Sequence, residues 1–251
     1  MNKRGQLTAF IILGIVIAAA AILVLFIRGQ FFFGPVTPDN LANKMIPISE
    51  HITNCVKDVA PDEIERIGLQ GGHLKTAKDT FRKERDIPVS YLCYNVKDNP
   101  TCYNRMLLIS EMEEELNEAI KARLSGCINV KKFEKGFDTK LGNLKVEAEI
   151  GKDNVAVNVN YPITLIKGNV EVDEDEFSVN FNYPLGRLYE ASQDIINVEA
   201  EFGEFDQLSY MLVKRGQVVV EKQRPYPDKL YVLKAKDSPY IFQFMVQGEP
   251  T

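Results

Sequence analysis

The rhythm of apolar and polar residues changes several times along this chain, and each change predicts a different element. From Leu7 to Ile27 there are 21 residues without a charge, and nothing among them is more polar than Thr8. From Ile48 the apolar positions Ile52, Val56, Val59, Ile64 and Ile67 recur at near-helical spacing, with Pro61 suited to the first turn of a restarted helix. Gly68, Gly71 and Gly72 then stop that helix. A further helix is predicted from Ser110, where Ser110 and Glu113 have capping-box spacing. Met112, Leu116, Ala119, Ile120, Leu124 and Cys127 share one of its faces, and Glu111, Glu114, Glu115, Glu118 and Lys121 lie mostly opposite.

From Leu144 the period becomes two. The stretches KVEAEI, VAVNVNYPITL, NVEV and EFSVNFNY alternate apolar with polar residues, which predicts an antiparallel meander with one buried and one wet face. Asp173, Glu174, Asp175 and Glu176 read as a charged hairpin tip between the last two. The run from Val157 to Pro162 is echoed from Val179 to Pro184, and each proline is expected to end its ladder or force a bulge. Pro184 can open a helix with Leu185, Leu188, Tyr189, Ser192, Ile195 and Ile196 inward, and a shorter helical segment follows Gly203. QVVVEK, KLYVLKA and YIFQFMV complete the chain as three strands.

The expected fold class is therefore α+β: an N-terminal transmembrane helix followed by helices packed on antiparallel β-meanders. Residues 1–6 precede the span, 7–27 form it, and 28–47 read as a tether with a short helical start. Two modules are expected beyond it, 48–183 and 184–251.

A helix of 21 residues reaches about 31 Å, the thickness of a bilayer's hydrocarbon core. A cleaved secretory signal has a shorter apolar region ending at a small-residue site, whereas Ala18 to Ala21 lie inside this run. Lys3 and Arg4 precede the span and only Arg28 follows it closely, so the positive-inside rule puts residues 1–6 in the cytoplasm and the body outside. The expectation is a single-pass protein of the cell membrane that meets lipid through residues 7–27.

Lys3-Arg4-Gly5-Gln6 ahead of an apolar helix resembles the class III, prepilin-like signal of archaeal type IV pilins and related surface proteins. The opening, with a Cys-bearing helix and the GLQGG turn at Gly68–Gly72, also resembles archaeal membrane-anchored surface proteins. The resemblance implies cleavage between Gly5 and Gln6 with the helix retained. Phe10 stands where bacterial-type pilins carry a glutamate, and Gly29, Gly34, Pro35 and Pro38 follow the helix where a pilin helix continues.

Composition is that of a globular protein, with 45% hydrophobic and 26% charged residues. A formal charge of −5 and no dense basic stripe outside the N-terminus argue against nucleic acid as a partner. Four cysteines outside the cytoplasm favour disulfides, with three pairings open. Cys93 and Cys102 bracket a turn at Asn99-Pro100, so a local bridge is economical and leaves Cys55 and Cys127 to staple two helices; four buried thiols are the alternative.

No catalytic, cofactor or metal motif emerges. His51 and His73 are the two histidines, and neither G-x-S-x-G nor H-E-x-x-H occurs. His51 and Cys55, four apart, could join Cys127 around zinc, but tight Cys-x-x-Cys pairs are missing. The 173–176 acids lack the EF-hand spacing, and GLQGGHLK lacks the Lys-Ser/Thr that ends a phosphate loop. The expected role is non-enzymatic: a membrane-anchored surface protein for adhesion, structure or binding, with other surface proteins or its own copies as partners. A pilin-like subunit is the alternative, and an exterior hydrolase assembled from scattered residues is the third.

Overall fold

The computed structural model describes residues 13–24, 38–95 and 102–248. Residues 13–24 are helical (α1), and all their side chains are exposed. Among the described residues no helix is both long and apolar enough to cross a membrane. The expected span of 7–27 extends past α1 at both ends, beyond the described residues.

Helix α2 (Pro38–Leu69) is one continuous rod of 32 residues. The expected tether therefore gives way to helix from Pro38, and Pro61 restarts nothing. Pro47 and Pro61 both sit inside the helix. Each removes an internal hydrogen bond, yet Pro47 is exposed and Pro61 partly so, and the opposite face buries Ile48, Ile52, Cys55, Val56, Ile64 and Ile67. Packing of that stripe outweighs the proline defects. The glycines end the rod as a Schellman turn, with Gly72 N–H donating to Ile67 O at 2.8 Å and Gly71 N–H to Gly68 O at 3.3 Å.

That turn is wedged into a sheet. Strands β1 (Phe81–Glu84), β2 (Ile87–Tyr94) and β3 (Tyr103–Asn104) join β8 (Val218–Gln223), β9 (Lys229–Ala235) and β10 (Ile241–Val246) in the order β1-β2-β10-β9-β8, with β3 on β2. Strands β2 and β10 run parallel and pair only near Tyr91–Cys93 and Met245–Val246. Ahead of that point Ser90 N–H donates to Gln70 O, and the Gln243 amide donates to Leu69 O at 2.9 Å. A Cβ on Gly71 would stand 3.1 Å from Gln243 O, and its φ of +73° suits glycine.

The second sheet is built on β6 (Val155–Lys167). On one side lie β4 (Asp138–Leu141) and β5 (Lys145–Ile150), end to end, and on the other β7 (Val170–Phe181). NVEV and EFSVNFNY are a single strand here, so Asp173–Glu176 lie in mid-strand and form no hairpin tip. The register slips between Asn160 and Ile163, where Pro162 forces a bulge, while Pro184 ends the second copy of the motif.

Helix α3 (Ile109–Cys127) begins before the expected Ser110 cap. Glu111, rather than Glu113, takes the Leu108 N–H at 2.7 Å. Helices α4 (Leu185–Phe202) and α5 (Gln207–Val213) follow Pro184 and Gly203, and all six inward residues expected on α4 are buried. One core unites α2, α3, α4 and both sheets, and it runs without a break through residue 184, where two modules were expected to meet. The first sheet itself draws strands from both sides of that residue.

Candidate interaction surface

Cys55 of α2 and Cys127 at the end of α3 are bonded, with Cα atoms 5.8 Å apart; Cys93 and Cys102 are bonded with Cα atoms 5.3 Å apart. The sulfurs considered for zinc are thus committed to each other. His51 Nε2 stands 3.9 Å from Cys55 Sγ and accepts the Asn129 N–H at 3.4 Å, with Lys132 Nζ 3.3 Å from Nδ1. Burial, with the Lys132 charge second, holds this imidazole below its usual pKa. It ties the α3 exit to α2.

His73 lies apart from His51. It is buried, and Nε2 is 3.2 Å from the Arg105 carbonyl, which fixes the proton on that nitrogen. Burial lowers its pKa, opposed by that hydrogen bond. Beside it, Glu115 accepts the Leu74 and Lys75 N–H groups and so binds the segment after the GLQGG turn. Among the described residues no set of three or more His, Cys, Asp or Glu is placed to hold a metal. Gly5 and Gln6 lie outside the described residues.

One feature with the shape of a binding site is a groove of about 620 Å³ between the first half of α2 and β7. Ala42, Met45, Ile46, Ser49, Glu50, Thr53, Asn54 and Lys57 line one wall, and Val172, Asp173 and Glu174 the other. Helical spacing brings the α2 residues to one side of the rod. Ser49 donates its hydroxyl to Glu174 at 2.5 Å, a strut between the walls. Ile46 offers an exposed apolar side chain in the groove.

The β7 wall is also a sheet edge, since among the described residues β7 pairs as a strand with β6 alone. Two other edges are blunted. Glu113 and Asn117 of α3 accept the Ile150 and Ala148 N–H groups of β5, at 2.8 and 2.5 Å. Met211 of α5 lies 3.3 Å from the Val220 nitrogen of β8 and caps that edge. Strands β1 and β4 have four residues each, against twelve in β7.

No family model, curated protein or solved structure matches this chain. The groove residues were not legible as a site beforehand. Asp173 and Glu174 stand out in the sequence as an acidic cluster, but nothing local sets residues 42–57 beside 172–174.

Proposed function

We propose that this chain is a single-pass, membrane-anchored surface protein whose exterior body is non-catalytic and presents a binding face. The observation that carries the reading is α1. It lies within an uncharged run of 21 residues, and its side chains stay exposed, from 50% for Val24 to 65% for Ile15 and Ile22. Apolar surface on every side of a helix is costly in water and favourable in lipid. Two disulfides accord with a body outside the cytoplasm.

The test is fractionation of cells expressing the full chain. The protein stays with membranes after alkaline carbonate washing, and protease added outside intact cells removes the body. Release by carbonate, or protection of the body in intact cells, would sink the reading.

A second reading, a pilin-like subunit trimmed between Gly5 and Gln6, draws support from the small residues of α1. Gly14 and Ala18 stand about one turn apart, with open space where a Gly14 side chain would project, so another helix could approach closely. Filaments sheared from cells would contain the protein with Gln6 as its N-terminus. A detergent-soluble monomer starting elsewhere argues against it.

A further inference from the structure

We propose that the α2–β7 groove binds an extended, basic peptide segment by strand addition to β7. The inference deepens the binding half of the function proposed above and does not depend on the membrane anchor.

Three observations converge on this occupant. First, the groove has the form strand addition requires: an open strand edge beside a helix that supplies side-chain contacts. Its helical wall from Ala42 to Lys57 covers about 22 Å, and its strand wall, Val172 to Glu174, offers about 10 Å of edge for pairing. Second, among the described residues β7 is the longest edge strand, and α2, which packs along it, sends no side chain to bond its backbone as α3 does for β5. Third, charge selects the partner. The lining carries Glu50, Asp173 and Glu174 against Lys57, and β7 adds Glu171, Asp175 and Glu176.

The same charge excludes an obvious competitor. Two β7 strands from two copies, paired edge to edge, would set carboxylates opposite carboxylates, which is unfavourable in a ladder. Lysine or arginine at alternate positions would instead lie across from acids on one face. Small aliphatic residues between them would meet Ile46, Met45 and Val172 on the other, where Glu174 is already engaged by the Ser49 hydroxyl. The acidic stripe thus acts as a filter as well as a deterrent.

The test uses the full chain in detergent micelles and three dye-labelled, end-blocked peptides of about eight residues. One alternates valine with lysine, one valine with glutamate, and one glycine with lysine. The valine–lysine peptide binds at least about tenfold more tightly than either control, and β7 amides slow in hydrogen exchange when it is present. Ile46→Lys and Asp173→Lys, both at exposed positions, each weaken it by about tenfold. Equal binding of the two lysine peptides would reveal nonspecific attraction and overturn the proposal. So would protection located away from β7, or no binding.

Discussion

Tyr231 on β9 donates its phenol to Glu199 on α4, and neither side chain reaches solvent. Lys229 Nζ completes the carboxylate's shell at 2.7 Å, and it also reaches Glu204 at 3.2 Å. Lys222 and Arg224 converge on the same Glu204. The end of α4 is thereby riveted to the sheet through a charge network with every member partnered.

Breaking that rivet has graded consequences. Tyr231→Phe removes one donor while Lys229 remains, and should cost about 1–3 kcal/mol. Glu199→Ala leaves the buried Tyr231 hydroxyl without its acceptor and Lys229 with Glu204 and the Gly203 carbonyl, and should cost more than Tyr231→Phe. Urea unfolding of the two variants checks the order; equal losses would show that the Tyr231 hydroxyl finds another acceptor.

The two disulfides should differ in weight. The Cys55–Cys127 bond closes a separation of 72 residues and Cys93–Cys102 one of 9. Loop entropy alone makes the first worth about 4.4 kcal/mol and the second about 2.6 kcal/mol. Paired serine substitutions, Cys55→Ser with Cys127→Ser and Cys93→Ser with Cys102→Ser, compared by thermal melting, test that ranking.

Stability should fall on mild acidification because of His73. Burial, opposed by the bond to Arg105, sets its folded pKa below the ordinary 6.5, so the unfolded chain binds the proton more readily. Its contribution is complete above about pH 6.5 and is lost as pH drops toward the folded value. Glu115 and Glu111 lessen the shift and Arg105 adds to it. His73→Gln keeps a donor toward Arg105 and should reduce the dependence between about pH 7 and 5, read from urea midpoints, leaving the share that belongs to His51.

Gly68→Ala should reverse the usual helix rule. Alanine within a helix normally gains about 1 kcal/mol over glycine. Here a Cβ would lie 2.5 Å from the Ile241 carbonyl oxygen and meet the Tyr240 hydroxyl, which already donates to Ile64 O. A loss of about 1–3 kcal/mol is expected from the overpacking. A variant as stable as the parent would mean that β10 shifts freely.

The legible parts of this fold are those whose order is local. Helix α4 shows itself through Pro184, a buried stripe at helical spacing and Gly203 in the left-handed region. Strand β8 shows itself through alternation, and β9 and β10 through apolar runs set off by the Pro-bearing turns. Strand β2 does not, because Val89 through Cys93 are all buried and its parallel partner is the last strand of the chain. Nor does the unity of α2, where two prolines argue for breaks that tertiary packing overrides. The acidic run of β7 resembles a turn by composition, and alternation breaks there, with Asp175 and Glu176 both exposed where the register with β6 shifts, yet the strand runs on. The groove escapes notice for the same reason as β2: its two walls are distant in sequence.

One consequence of the long α2 rod is mechanical. Tension entering at Pro38 would travel roughly 48 Å along a stiff axis before arriving at the glycine wedge between Ser90 and Gln243. Partway, the Cys55 sulfur would shunt part of that load into α3. A body slung in this way would resist being peeled open from its N-terminal side, since the covalent cross-tie must hold or fail before the wedge is drawn out.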